Sequence, residues 1–223
     1  MTDAQVPAAG VPVLVYPARL RVLCVGGGVV ATGKITDLLD GGARVRVIAP
    51  EVTATLRQAA DEGRLRWRRG HYRPDDISDA NLVLAATGSP QVNAAVAADA
   101  DAAGRLCVRV DDGPAGSAAM MGSVRRGPLV LGVATTGAAP ALTRLVRREL
   151  ADRYGPEHGV LAELSVELRS DPRVVAALGD LDVETRRARW RAVYHPDILD
   201  LIRAGRLDQA KEAALACLLS SSD

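Results

Sequence analysis

Glycines at one turn of this sequence have the spacing at which a backbone can bind a phosphate. Gly26, Gly28 and Ala31 fit the pattern G-x-G-x-x-G/A, in which the first glycine makes a tight turn and the second lets the backbone approach a pyrophosphate. The small third residue lets a helix pack closely on a strand, and the amides at the start of that helix attract an anion. The pattern predicts a dinucleotide-binding turn, with a purely structural glycine turn as the alternative.

The segments that flank these glycines favour the dinucleotide interpretation. Residues 22–25 are an apolar run of strand length, helical spacing continues through 29–39, and a second strand is predicted at 44–49. Pro50 and Glu51 follow about 20 residues after the glycines, where an acidic side chain meets a ribose hydroxyl. The alternative for Glu51 is a charge at the start of the next helix.

Polar residues also follow two later predicted strands. The apolar strand at 81–87 ends in Thr87 and Gly88, and the strand at 106–110 ends in Asp111. Strands that alternate with helices predict a parallel, doubly wound α/β sheet, which binds ligands at the carboxyl ends of its strands. A carboxylate in that place can take or position a proton. The alternative is that Asp111 belongs to a solvated turn.

The pattern of the sequence changes after residue 112. A strand is predicted at 129–135, and Pro140 opens a periodic helix with arginines on one face. Its apolar face consists of Leu142, Leu145, Val146 and Leu150. Arg144 lies near a glycine turn at Thr136 that could bind an anion, and arginine binds carboxylates bidentately. A merely solvated arginine face is the alternative.

Beyond the helix at Pro140 nearly every segment has helical spacing. We therefore expect three parts, at residues 1–112, 113–152 and 153–223. An apolar run at 11–16 is expected to add a strand or to pack beside the first strand.

Composition narrows the function classes. The chain has 223 residues and a net charge of +1, which argues against nucleic acid as the main partner. Three distant cysteines without C-x-x-C spacing fit a reducing cytoplasm, and neither they nor the three histidines predict a metal site. The sequence contains no apolar stretch of 18 residues and no basic region before an apolar one at its start, so neither a membrane span nor a signal peptide is expected.

Several short motifs occur together in one order that resembles the siroheme synthase N-terminal family. The motifs are VGGGVVA at 25–31 with Lys34, AP at 49–50, AT at 86–87, VDD at 110–112, RGPL at 126–129 and PALTR at 140–144. The resemblance covers nearly the whole chain and is strongest from residue 20 to about residue 150.

The resemblance implies a Rossmann-like parallel sheet that binds NAD, then a dimerisation region and a C-terminal helical domain. It implies NAD-dependent dehydrogenation of precorrin-2 to sirohydrochlorin and, in bifunctional members, insertion of ferrous iron into sirohydrochlorin to give siroheme. A cytoplasmic homodimer with a tetrapyrrole substrate is therefore expected. No methyltransferase domain is expected, since the sequence ends at Asp223.

The resemblance also assigns roles to residues. Together with the glycine pattern, it places cofactor binding at Gly26, Gly28, Val29, Val30, Pro50, Glu51, Thr87 and Gly88. It matches the key aspartate of the family to Asp111, which is the expected catalytic carboxylate. Thr136 and Arg144 are the expected substrate contacts.

The sequence departs from the family at two places near that aspartate. Val108 stands where the family usually has Asn, and Ala118 or Ala119 stands where it has a bulky aromatic residue. These departures motivate one alternative to the dehydrogenase, a non-catalytic module that binds NAD or a tetrapyrrole. A chelatase that keeps the NAD-binding fold is the other alternative.

Overall fold

The computed structural model describes residues 10–220, and these residues form two compact units. The first unit consists of the chain up to Met120 together with Ala134–Pro140, and the second of Met121–Val133 and the chain from Ala141 onward. Parts of the predicted dimerisation region, 113–152, therefore belong to each unit. The functional division into residues 1–112, 113–152 and 153–223 stays a prediction.

Five parallel strands form the sheet of the first unit, in the order β3-β2-β1-β4-β5. The strands are β1 Arg21–Val25, β2 Arg44–Ala49, β3 Leu65–Arg69, β4 Leu82–Ala85 and β5 Leu106–Arg109. The helices are α1 Val29–Asp40, α2 Ala54–Asp61 and α3 Pro90–Ala102. The prediction of a Rossmann-like parallel sheet is confirmed.

Both faces of this sheet are covered by helices. Successive side chains of a strand point to opposite faces. In β1, Val22 and Cys24 therefore join an apolar cluster with residues of α1 and α2. Leu23 and Val25 join a second cluster with residues of α3. Burial on both faces explains why the central strands read as continuous apolar runs.

The second unit contains one antiparallel hairpin and a set of helices. The hairpin pairs β6 Gly122–Arg126 with β7 Leu129–Val133. The helices are α4 Pro140–Arg153, α5 Pro156–Arg169, α6 Pro172–Gly179, α7 Val183–Val193, α8 Pro196–Arg203 and α9 Leu207–Leu219. Apolar residues of α5 to α9 form its core. Across residues 10–220, every helix is too short or too polar to cross a membrane.

The prediction for the apolar run at 11–16 is wrong. The structure forms no strand there, and all six residues are exposed within the described chain. Pro12 and Pro17 lack the N–H group that a strand ladder requires. Apolar composition alone therefore does not add this segment to the sheet.

Two features of the second unit also differ from the sequence interpretation. The strand β6 was not predicted, because it reads Gly-Ser-Val-Arg-Arg and buries only Val124. The helix at Pro140 is present, but none of its residues is buried within the described chain. Leu142 and Leu145 on its apolar face are exposed. Periodicity predicted the helix correctly but did not identify what covers its apolar face.

The sheet offers a direct test of this packing. Leu84 in β4 is fully buried, whereas Leu106 in the neighbouring strand β5 is 48% exposed. We expect Leu84→Ala to lower the free energy of unfolding by about 2–5 kcal/mol because it leaves a cavity. We expect Leu106→Ala to lower it by about 1 kcal/mol or less.

The measurement is urea unfolding followed by the fluorescence of Trp67, in a Trp190→Phe background. Trp67 lies in the first unit and Trp190 in the second, and the chain has two tryptophans, so the signal then reports the sheet alone. Equal losses in the two alanine variants would contradict the described packing.

Candidate functional site

Loops after four of the five strands lie at the carboxyl edge of the first unit's sheet. Since all five strands are parallel, the residues that follow β1, β2, β4 and β5 share this edge. The strand order reverses here, since the chain continues from β1 to β2 and β3 on one side and to β4 and β5 on the other. Open α/β sheets bind ligands in the crevice at such a switch point.

Gly26 and Gly27 form a corner that permits close backbone approach. Gly26 has φ 115°, and a Cβ there would overlap the carbonyl oxygen of Ala86 after β4. A Cβ on Gly27 would lie 2.5 Å from the carbonyl oxygen of Glu51 after β2. The corner is therefore held between the loops of both neighbouring strands. The sequence pattern assigned no role to Gly27, and only the packing shows one.

Gly28 differs from these two glycines because its surroundings are open. It has φ −79°, and no heavy atom lies within 4 Å of a Cβ built there. Gly28 is the N-cap of α1 and supplies no side-chain cap, whereas Thr53 and Ser89 cap α2 and α3. The start of α1 is thus an open cradle with uncapped amides, which suits an anionic group.

The other residues of the α1 start fit the same arrangement. Ala31 is fully buried among the residues that pack α1 on the sheet. Val29 and Val30 are exposed at the first turn. Their backbone amides are available at the helix N-terminus, where the helix dipole favours negative charge.

Pro50 and Glu51 follow β2 on the same edge. Pro50 accepts a hydrogen bond from Arg69 Nε at 3.2 Å. The Glu51 side chain is exposed and makes no hydrogen bond or ion pair within residues 10–220. Helix α2 has its N-cap at Thr53, two residues further on, and the Thr53 hydroxyl lies 2.8 Å from that of Thr32 in α1. The geometry is compatible with both interpretations of Glu51, as ribose contact and as helix-terminal charge.

Thr87 is held by a residue that the sequence interpretation missed. Asn93 in α3 is completely buried, and its Oδ1 accepts hydrogen bonds from Thr87 N at 3.0 Å and Thr87 Oγ1 at 2.8 Å. Its Nδ2 donates to the Thr87 carbonyl at 3.1 Å. Gly88 follows and is exposed. One feature of the sequence could have indicated this role. Asn93 lies between the apolar residues Val92 and Val96, and a buried polar side chain needs hydrogen-bond partners.

Asp111 lies after β5 and is paired rather than freely solvated. Arg109 donates from Nη2 to Oδ2 at 2.8 Å and from Nε to Oδ1 at 3.3 Å. This pairing lowers the pKa of Asp111, and the Asn93 side chain acts more weakly in the same direction. The Asp111 side chain is 23% exposed. Asp111 is nevertheless an exposed residue in the bend after β5, so the geometry is compatible with both the catalytic and the solvated-turn interpretation.

The two departures from the family pattern are neighbours in the structure. Val108 is buried in the core, and its backbone forms a parallel bridge with Ala118. The Ala118 amide donates to the Cys107 carbonyl at 3.0 Å. Val108 and Ala118 are both small and apolar. Their bridge adds one backbone pairing beside β5, an outermost strand of the sheet.

Thr136 and Arg144 lie in different units. Thr136 has φ 49°. Among residues 10–220 it is the only non-glycine residue with a positive φ. Gly137 follows with φ 86°, and this turn precedes α4. Arg144 is exposed one turn into α4 and forms no hydrogen bond or ion pair with residues 10–220.

The structure therefore brings together the predicted cofactor residues and the predicted catalytic carboxylate at one edge of one sheet. Asn93 holds the Thr87 turn at that edge by three hydrogen bonds, and Arg109 holds Asp111. Such an edge can bind the diphosphate of a nucleotide on backbone amides and present a carboxylate beside it.

Comparisons with known proteins agree with this geometry. Residues 13–122 match a family described as putative NAD(P)-binding, which supports a nicotinamide dinucleotide as the cofactor class. Siroheme synthase 1 of Yersinia enterocolitica is 35% identical over 195 residues, covering 87% of this chain and 40% of the relative. The siroheme synthase of Pseudomonas putida is 38% identical over 194 residues, covering 86% of this chain and 40% of the relative. The chain spans about 40% of the length of these curated relatives.

A solved structure supports the fold. The structure of SirC, a precorrin-2 dehydrogenase, has a TM-score of 0.74 and 24% sequence identity to this chain. The match covers 93% of this chain and 98% of that chain. At this identity the likeness shows the shared architecture of a parallel sheet followed by helices.

The glycine corner generates a test that separates structure from binding. We expect Gly28→Ala to leave the free energy of unfolding nearly unchanged, because the new methyl group meets open space. That methyl group would occupy the path by which a diphosphate approaches the backbone. We expect NAD affinity to fall by about tenfold or more, which corresponds to about 1.4 kcal/mol. Isothermal titration calorimetry measures it.

Two other glycines serve as controls for this variant. Gly33 lies within α1 with open space around it, so Gly33→Ala should keep NAD affinity. Gly26→Ala should destabilise the fold, because its methyl group overlaps the Ala86 carbonyl oxygen at a positive φ. Unchanged NAD affinity in Gly28→Ala would refute the predicted cofactor position.

Proposed function

Because the chain belongs to the siroheme synthase N-terminal family, we propose that it oxidises precorrin-2 to sirohydrochlorin with NAD as the hydride acceptor. The fold likeness to a precorrin-2 dehydrogenase supports this assignment. The observation that carries the proposal is the shared sheet edge, which holds both the glycine corner and the Asp111 carboxylate paired with Arg109. We also propose that the protein is cytoplasmic, because the three cysteines of the chain are free thiols, as is usual in a reducing compartment.

The residues at this edge fit NAD in a definite order. The amides near Gly28, Val29 and Val30 would bind the diphosphate, and Glu51 would bind the ribose hydroxyls. Thr87 and Gly88 would lie beside the nicotinamide half. When bound, NAD supplies the hydride acceptor. A carboxylate at Glu51 repels a 2′-phosphate, so we propose that NAD is preferred over NADP.

Asp111 would then move the proton that accompanies the hydride. Dehydrogenation removes two hydrogens from the macrocycle, one as hydride to NAD and one as a proton. An ionised carboxylate beside the cofactor can accept that proton. Asp111 is ionised at neutral pH, and its lowered pKa keeps it ionised at more acidic pH than an ordinary carboxyl group.

Substrate recognition in this proposal relies on carboxylates. Precorrin-2 carries several carboxylates, which arginine binds well. Arg144 and the turn at Thr136 are the groups that we propose as substrate contacts. Arg144 is available because it is exposed and has no polar partner within the described residues.

A substitution at Asp111 tests the catalytic role. Asp111→Asn keeps the shape of the side chain but cannot accept a proton, so we expect kcat to fall by about 100-fold or more. Asp112→Asn on the neighbouring exposed residue is the matched control and should retain nearly full activity. The measurement is the absorbance of reduced cofactor with precorrin-2, using NAD and NADP in parallel. Near wild-type turnover by Asp111→Asn would contradict the assignment.

Insertion of ferrous iron into sirohydrochlorin is the second candidate function. The same observation favours it, because chelation also needs a group that accepts pyrrole protons beside the macrocycle. An absorbance time course with sirohydrochlorin and ferrous iron, without NAD, separates this activity from dehydrogenation. Tight binding of NAD or tetrapyrrole without product in either assay would instead identify a non-catalytic binding module, which the departures at Val108 and Ala118 motivate.

We also propose that the protein is a homodimer and that α4 contributes to the contact. Its apolar face is only partly covered within residues 10–220, since Leu142 and Leu145 are exposed while Val146 and Leu150 are half-buried. Apolar residues repeated on one helix face are normally buried against a partner. A second copy would cover this face.

A charge on that face tests the dimer. Leu145 is 50% exposed, so Leu145→Glu should leave the fold intact while introducing a charge that the contact must desolvate. We expect a shift from dimer to monomer in sedimentation velocity. Val166→Glu on α5, where Val166 is 59% exposed, is the matched control and should stay dimeric. A wild-type protein that sediments as a monomer would contradict the proposal.

A further inference from the structure

Arg109 is paired with Asp111, and the family resemblance assigns no role to Arg109. The two residues are two positions apart, with Arg109 as the last residue of β5 and Asp111 in the bend that follows it. The guanidinium donates to both carboxylate oxygens, at 2.8 Å and 3.3 Å. The Arg109 side chain is 12% exposed and that of Asp111 23%, so water screens the pair only in part.

A second element also acts on Asp111. Asn93 in α3 is completely buried, and its side chain lowers the pKa of the carboxylate further, although less than Arg109 does. The same amide holds the Thr87 turn through three hydrogen bonds. Arg109 is therefore the hydrogen-bonding partner of the carboxylate, and the amide in the neighbouring helix adds a smaller effect.

The charges around the pair identify Arg109 as the cation that acts on Asp111. Asp112 is the adjacent anion and raises the pKa of Arg109, as Asp111 does. Cys107 is the remaining titratable neighbour, and burial raises the pKa of its thiol to about 11, so it is neutral at physiological pH. Asn93 is uncharged. Among these neighbours only Arg109 can stabilise the carboxylate by opposite charge.

The position of Arg109 also bears on the departure at Val108. Where the family usually has Asn, this chain has a buried valine that offers the carboxylate no side-chain hydrogen bond. Arg109, one residue further along β5, donates two.

We propose that Arg109 is a positioning residue, whose guanidinium holds the Asp111 carboxylate ionised and in one orientation at the nucleotide-binding edge. This inference rests on the proposed function, since it concerns how the proton acceptor of that reaction is kept ready.

The sign of the expected pH effect follows from the ion pair. With Arg109 present, the pKa of Asp111 is below its ordinary value, so the carboxylate stays ionised as the pH falls. Removal of the guanidinium raises the pKa, and Asp111 then takes up a proton at a higher pH. A protonated Asp111 cannot accept a proton from the substrate, so the acid limb of the pH–rate profile would move to higher pH. Turnover at alkaline pH would be retained, because Asp111 is ionised there.

The chain contains a matched ion pair in a structural setting. Arg173 donates to Asp171 from Nη2 at 2.7 Å and from Nε at 3.1 Å, again two positions apart. Arg173 also lowers the pKa of Asp171 to about 2. Asp171 is the N-cap of α6 in the second unit, outside the candidate site. Arg173→Met therefore repeats the chemical change away from the cofactor edge.

The first measurement needs no substrate. Carboxyl-¹³C-labelled aspartate is titrated by NMR in the full chain, and the Asp111 signal is assigned with Asp111→Asn. We expect Arg109→Met to raise the titration midpoint of Asp111. Arg109→Lys should raise it less, because lysine keeps the positive charge but lacks the planar guanidinium that donates to both carboxylate oxygens. Arg173→Met should leave the Asp111 midpoint unchanged. An unchanged midpoint in Arg109→Met overturns the proposal.

The second measurement is the pH–rate profile of precorrin-2 oxidation. For Arg109→Met the rate on the acid side should fall by about tenfold for each unit by which the limb moves, while the alkaline rate stays within about threefold of wild type. A uniform loss at all pH values would indicate a merely structural role and overturn the proposal, as would an unmoved limb. If wild type shows no turnover, the proposed function fails, and the NMR titration still decides the role of Arg109.

Discussion

A backbone contact at the carboxyl edge of the sheet determines where the other parts of the site lie. Gly26 leaves β1 at a positive φ and packs against the Ala86 carbonyl, where a side chain would overlap the oxygen. Gly27 makes the corresponding close approach to the loop after β2. Because backbone packs against backbone on both sides, the start of α1 cannot shift without moving the neighbouring loops. The open cradle at Gly28 is a consequence of this packing.

Two polar groups support the other strand ends of the proposed site. A buried amide without partners would be costly, and Asn93 satisfies its hydrogen-bonding groups on the Thr87 turn. After β5, Arg109 donates to both carboxylate oxygens of Asp111. In the proposed function this ion pair keeps the proton acceptor ionised, and the Asn93 side chain lowers the pKa of Asp111 further.

In the second unit, helices pack around a small apolar core, and polar contacts hold the helix ends. Aspartates cap α6 and α7, and Arg126 of the hairpin donates to the carbonyls of Ala151 and Tyr154 at the end of α4. These contacts fix the ends of helices without covering the apolar face of α4. The uncovered face is the reason for proposing that a second copy of the chain completes this part of the fold.

The sequence by itself determined the parallel sheet, the helix at Pro140 and the grouping of Gly26, Thr87 and Asp111 at strand ends. These depend on local periodicity, on glycine spacing and on the rule that parallel strands end at one edge. Only the tertiary structure decided that Asn93 holds the Thr87 turn, that Arg109 pairs with Asp111, and that residues 11–16 stay outside the sheet. The physical reason is that partners of buried polar groups and of apolar faces are chosen by packing between distant segments, which local patterns do not encode.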